Sequence, residues 1–299
     1  MSRINTNIGA LNALKSLNDV NTRLSVSQLR LATGKRINSA ADDAAGFSIA
    51  KKFNARSQGL GQALSNIGSA KNLMAVAEGH LNNILDILTQ MKTKATQAAD
   101  DSLGSAERNA IKAELNQLAV QIDLEVAQAT WNSNSIFGGA NATSGSASNV
   151  QFKFQIGAGS SGTNDVLSFD LLANTNVSFD SGATDKNYTA SGLNVSIATT
   201  SVASNASARA LMSNIDTAIE DVSEALSYIG SVVNRLTYQE TSLTVARTNT
   251  DAARSRIEDA DMAYEQLEAT KLQILQQTAS AMLAQANTSP QIIMQLFQG

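Results

Sequence analysis

A single proline, Pro290, stands in this chain of 299 residues, where ordinary usage near 5% would supply roughly 15. Proline stops helices because it has no amide hydrogen and its ring clashes with the preceding turn. Nothing upstream of residue 290 therefore forces a helix to end. The apolar pattern uses that freedom. Met74, Ala77, Leu81, Ile84, Leu88, Met91 and Ala95 alternate spacings of three and four, which is a heptad seam. A second seam runs through Ile215, Ile219, Val222, Leu226, Ile229, Val233 and Leu236, and a third helical pattern through Ile111, Leu115, Leu118 and Ile122. Ser105 is the expected N-cap of the third, with Glu107 in its first turn. The preceding ADDSLG reads as a turn, so residues 74–130 are expected to form an antiparallel helical hairpin.

A helix from Ala44 to Ala98 would be on the order of 80 Å long at 1.5 Å per residue. A compact globule of this chain length is roughly 50 Å across, so the expected shape is a rod. Gly59, Gly61, Gly68 and Gly79 each weaken such a helix by about 1 kcal/mol relative to alanine, which makes the pattern upstream of Leu73 less sharply helical. Between Trp131 and Ser207 the chain turns rich in Ser, Gly, Asn and Thr, and the apolar period falls to two. Val150, Phe152, Phe154 and Ile156, then Leu167, Phe169 and Leu171, predict a β-hairpin, with shorter strand candidates at 177–179 and 193–197.

The two ends carry apolar faces of their own. Ile4, Ile8, Leu11, Leu14 and Leu17 recur at helical spacing, as do Ile257, Leu267, Ile274, Leu275, Met282 and Leu283. The ends are expected to pair with each other, and a two-helix pair covers only part of each stripe. The remainder needs neighbours from other copies of the chain. The fold class is thus mainly α with a small β-hairpin region: an elongated antiparallel helical coiled-coil rod with its N- and C-terminal helices paired and a short variable insert.

Composition excludes several roles. A net charge of -4 with no basic block lacks the footprint of a nucleic-acid binder. No apolar run approaches the roughly 18 to 20 residues of a membrane span, and the polar start is unlike a secretory signal peptide. Cysteine is absent, and His80 is the sole histidine, so thiolate and H-E-x-x-H metal sites are ruled out. GAGSSG, residues 157–162, is formally G-x-G-x-x-G, but a strand follows where a dinucleotide site needs a helix. It is expected to be a hairpin loop, and no cofactor is expected. Glu258, Asp259 and Asp261 read as a solvated or interface face, because adjacent helical positions point apart.

MSRINTNIGALNALKSLN, LATGKRINSAADDAAGFSIA, ARSRIEDADMA and ILQQTASAMLAQAN strongly resemble bacterial flagellin, the subunit of the flagellar filament. The resemblance covers roughly 1–139 and 208–299. It implies an inner terminal coiled-coil domain from 1–43 and 256–299, a helical rod domain with its hairpin from 44–172 and 206–255, and a short variable surface segment at 173–205. It implies a secreted, extracellular, non-enzymatic subunit that polymerises into a helical filament for motility after export, unfolded, through the flagellar secretion channel. The alternative within the resemblance is a hook-filament junction protein. Implied partners are other copies of the chain, an export chaperone on the C-terminal helix, and the filament cap and hook-junction proteins.

Flagellins bound by the vertebrate Toll-like flagellin receptor carry a helix motif resembling Q-R-x-R-E-L-x-x-Q and a later Glu. Here the aligned stretch is TQMKTKATQ. Gln97 and Glu114 match, and Lys92 keeps a charge. Gln90 stands at the first Arg position, Met91 follows it, and Lys94 replaces Leu. The resemblance therefore implies weak or absent receptor binding.

Overall fold

The computed structural model describes residues 7–137, 152–159, 165–169, 188–196, 202 and 204–298, with side chains described as far as 288. Five helices and two strand pairs follow in the order α1 (Ile8–Thr33), α2 (Ala44–Ala98), α3 (Ser105–Gln128), β1 (Thr130–Trp131), β2 (Asn134–Ser135), β3 (Phe152–Gln155), β4 (Val166–Phe169), α4 (Asn205–Glu258) and α5 (Met262–Gln298). They divide into two compact units, residues 59–246 and residues 1–58 with 247–299.

The unit of residues 59–246 holds the main core. Every residue of the Met74 to Ala95 seam is fully buried. Lys94 and His80 of α2 meet Glu114 and Glu125 of α3, while Lys71 and Lys92 meet Glu240 and Asp216 of α4. Both pairings run antiparallel. On α4 the deepest row is Leu211, Ile215, Ala218, Val222, Ala225, Ile229 and Leu236. The expected Ile219, Leu226 and Val233 lie one residue round from it and are only half-buried. Small alanines face the centre here, and the branched residues flank it against a second neighbour. Helix α3 starts one residue from expectation: Gly104 is its N-cap and makes no side-chain cap bond, while Glu107 sits in the first turn as anticipated.

Asn132 and Ser133, both with positive φ, close the two-residue β1–β2 hairpin. Positive φ at both central positions is the type I′ turn that matches the twist of paired strands. The expected larger hairpin is present, with Phe152 opposite Phe169 and Phe154 opposite Leu167. Val150, Leu171 and the strand candidate at 177–179 lie outside the described residues. The candidate at 193–197 is not a strand over its described residues, 193–196. Val195 N–H donates to the Ala190 carbonyl and Asn194 N–H to that of Ser191, with Asn194 at φ 56°. These are the bonds of a Schellman stop after one helical turn. Part of the stretch expected to be a surface segment is core: Tyr188, Ala190, Leu193 and Val195 are buried, and Tyr188 meets Phe137 edge-on at 5.6 Å. Burial raises the Tyr188 phenol above its ordinary range.

In the unit formed by the two ends, α1 and α5 pack antiparallel. Gly34, at φ 69°, caps α1 in the left-handed conformation that glycine adopts without strain. Its carbonyl accepts from Ala260 N–H, and Arg36 N–H donates to the Glu258 carbonyl. The acidic IEDAD stretch thereby acts as a helix break. Asp261 Oδ1 accepts from Ala263 and Tyr264 N–H and starts α5, which satisfies amides that a new helix leaves unpaired.

Candidate assembly surface

The seam joining α1 to α5 mixes leucines with small residues. On α1 the inward row is Ala10, Ala13, Leu17, Val20, Leu24, Ser27 and Leu31, and on α5 it is Glu265, Ala269, Leu272, Gln276, Ala279, Leu283 and Ala286, all half-buried or buried, with half-buried Asn21, Arg30 and Glu268 beside them. Both rows alternate three and four, as a coiled-coil pair requires. Leu24, Ala269 and Leu272 form its buried centre, with Val20 and Leu31 packed against them. Charged and polar pairs flank it: Arg23 with Glu268 at 3.0 Å, Arg30 with Glu265 at 3.2 Å, and Gln276 with Asn21 at 2.8 Å.

The terminal residues expected to bind neighbours divide into two groups. Leu17 and Leu283 belong to the seam. Ile8, Leu11, Leu14, Leu267, Ile274, Leu275 and Met282 are exposed, and Ile4 lies outside the described residues. Heptad position explains the second group. Ile8 on α1 and Leu267 and Ile274 on α5 occupy the position opposite the seam, and they remain 60%, 66% and 59% exposed. Leu29, also opposite the seam, together with Val26, Met262 and Tyr264, extends the apolar exposure. Pairing of α1 with α5 therefore uses one face of each helix and leaves the bulkier face in water. Burying such side chains is worth about 1.5 to 3 kcal/mol each.

The aligned stretch of α2 faces two ways. Met91 is fully buried, whereas Gln90 and Gln97 are exposed. Lys92 pairs with Asp216, and Lys94 Nζ lies 2.7 Å from Glu114 Oε1.

Among the described residues, no group of three or more His, Asp or Glu is placed to hold a metal. At the glycine-rich loop, a Cβ on Gly157 or Gly159 would fall 2.0 or 2.3 Å from the Asp165 carboxylate. The space that a phosphate would need over those glycines is occupied by the chain's own anion. Ala158 of the same loop rests over Gly59 of α2, and Asn66 Nδ2 donates to the Gln155 carbonyl at 2.9 Å. The described loop residues 157–159 sit at the end of the β3–β4 hairpin, with a strand following where a dinucleotide site would need a helix. Glu258 pairs with Lys35, and His80 Nδ1 lies 3.0 Å from Glu125 Oε2. The hydrogen bond from His80 is the largest influence holding the Glu125 carboxyl below its ordinary range. No described helix is long and apolar enough to cross a membrane.

Two family profiles match the chain: the bacterial flagellin N-terminal helical region over residues 4–142 and the C-terminal helical region over 212–297. Flagellin of Listeria monocytogenes is 34% identical over 98% of this chain and 99% of its own. Flagellin of Bacillus subtilis is 33% identical over 99% and 100%, and a flagellar filament core protein of Brachyspira hyodysenteriae 33% over 99% of both. Among solved structures, a chain assigned as a flagellar hook-associated protein from Vibrio parahaemolyticus superposes with a TM-score of 0.57 at 17% identity, over 73% of this chain and all of its own. That likeness concerns fold alone. The family profiles at both ends and the full-length relatives establish that the chain belongs to the bacterial flagellin family.

Proposed function

We propose that the protein is a structural subunit that self-assembles into the bacterial flagellar filament. The observation that carries this reading is the set of apolar residues Ile8, Leu29, Leu267 and Ile274, which lie opposite the α1–α5 seam and remain exposed among the described residues. A face presented by every copy, and buried against a different face of the next, builds an open helical polymer when the rotation does not close. Relatives named for filaments point to the same outcome, since one is a filament core protein. Electron microscopy of the concentrated protein tests it: filaments support the reading, and monodisperse particles under polymerising conditions contradict it.

Export unfolded through the flagellar channel, delivery to the cell exterior, and capture of α5 by an export chaperone are parts of the same proposal. An amphipathic helix with an open apolar face suits docking in a groove. Cap and hook-junction proteins would meet the same terminal faces at the ends of the polymer. Binding to the Toll-like flagellin receptor is proposed to be weak, since Lys94 and Gln90 depart from the receptor motif. The hook-junction alternative rests only on a shared fold at 17% identity, and full-length flagellin relatives outweigh it.

A further inference from the structure

We infer that the register of the α1–α5 pair is set by two polar locks at opposite ends of the seam, one of which exists because of the chain's only proline. Pro290 lies within α5 and has no N–H to give to the carbonyl four residues back. That carbonyl belongs to Ala286, and Asn7 Nδ2 donates to it at 2.7 Å. Asn7 does this while its Oδ1 accepts from Ala10 N–H and caps α1. One side chain therefore ends one helix and completes the hydrogen bonding of the other.

The second lock lies about three heptads along the pair. Glu265 occupies a seam position, is 5% exposed, and accepts from Ser27 Oγ at 3.2 Å and Arg30 Nη1 at 3.2 Å. Arg30 Nε is buried without a hydrogen-bond partner, so the layer is not built for maximum strength. Polar groups at seam positions are the best-attested way of fixing coiled-coil register.

The rest of the seam needs such a device. Leu17, Leu24 and Leu31 repeat every seven residues, and most remaining positions are Ala, so a one-heptad slide keeps leucine against the partner. The slide toward the start of α1 would set Glu265 against Val20, which has no hydroxyl, and would leave Arg30 and Glu268 without their present partners. It would also move Asn7 away from the Ala286 carbonyl that Pro290 leaves without its helical N–H. Arg23, seven residues before Arg30, would come to Glu265 in the slipped state and keep its charge paired, so what the slide loses is the Ser27–Glu265 and Asn7–Ala286 hydrogen bonds, and these losses oppose it.

Cysteine trapping in the full-length chain under polymerising conditions tests this, since the protein has no cysteine of its own. Arg23→Cys with Glu268→Cys reports the observed register, because that pair is in contact. Ser16→Cys with Glu268→Cys reports the one-heptad slide. With both locks intact, only the first disulfide should form. With the locks removed by Asn7→Asp, Ser27→Leu and Glu265→Leu, the slipped disulfide should rise to within about threefold of the native one. Asn7→Asp keeps the cap on α1 while deleting the donor, and Ser27→Thr, which keeps a hydroxyl, should leave the native register alone. In a Pro290→Ala background Asn7→Asp should no longer matter, because the helix then supplies its own N–H to Ala286. A slipped disulfide below about a tenth of the native one in the lock-free variant would overturn the inference. So would slippage in the intact chain, or loss of helical content without slippage. Filament formation is read separately, so failure of the locks and failure of the assembly reading are distinguishable.

Discussion

Lys94 Nζ lies 2.7 Å from Glu114 Oε1, tying α2 to α3 at the stretch aligned with the proposed receptor motif. The lysine therefore brings a charge to the expected contact and also occupies the carboxylate that should be available. Exposed Gln90 lacks the rigid, multi-donor fork of arginine. Each change should lower affinity by about ten- to a hundredfold. Reporter cells carrying the receptor should respond weakly to the monomer, and Gln90→Arg with Lys94→Leu should gain activity. Potency equal to that of a flagellin with the full motif would refute this.

A pH dependence follows from His80 and Glu125. Hydrogen bonding from His80, helped by Asn83 and Gln121, holds the Glu125 carboxyl below its ordinary value. The stability it contributes is thus fully present above the unfolded-state glutamate range and is lost as pH falls through the lower folded value. Urea titration should show Glu125→Gln less stable than the parent by about 0.5 to 1 kcal/mol near neutrality, with the gap closing as pH falls through the lowered folded-state value. An equal gap at both pH values would show that charge is not involved.

Glycines within α2 should respond in opposite directions to alanine. A Cβ at Gly68 or Gly79 meets nothing within 4 Å, so each substitution should stabilise the monomer by about 0.5 to 1 kcal/mol. At Gly46 the added carbon would fall 2.5 Å from Asp43 Oδ2 and 2.7 Å from Ile37 Cδ1, and the change should destabilise. Thermal unfolding of the three single variants checks the sign of each.

Legibility in the sequence followed side-chain size. The seam from Met74 to Ala95 and the Phe152–Phe169 hairpin were predictable because bulky residues repeat there at a clean period. The α1–α5 seam was legible only in part, at Leu17 and Leu283, because Ala10, Ala13, Ser27, Ala269, Ala279 and Ala286 hold six of its fourteen positions. A scan for large apolar residues finds instead Ile8, Leu11, Leu267 and Ile274, which face outward. The alternating three-four spacing of small residues from Ala10 to Leu31 was the signal available. The β1–β2 turn escaped notice because Asn-Ser lacks the glycine of the usual hairpin pair. The break between α4 and α5 was signalled by Asp261 ahead of an apolar run, a capping pattern that had been assigned to a charged face. Lys94 was expected to disfavour an apolar contact, but its pairing with Glu114 depends on α3 folding back, which no local pattern records.

Assembly through the outward face is the central claim, and Ile274→Asp tests it most directly. A seam substitution such as Leu283→Asp would disturb the helix pair itself, whereas Ile274 is exposed opposite the seam. Aspartate there should leave monomer helicity unchanged by circular dichroism. Burying its charge without a partner in a dry contact would cost several kcal/mol. Electron microscopy and sedimentation of the variant under conditions where the parent forms filaments should show monomer with filament yield reduced at least about tenfold. Filaments at parental yield from a fully helical Ile274→Asp chain would contradict the account.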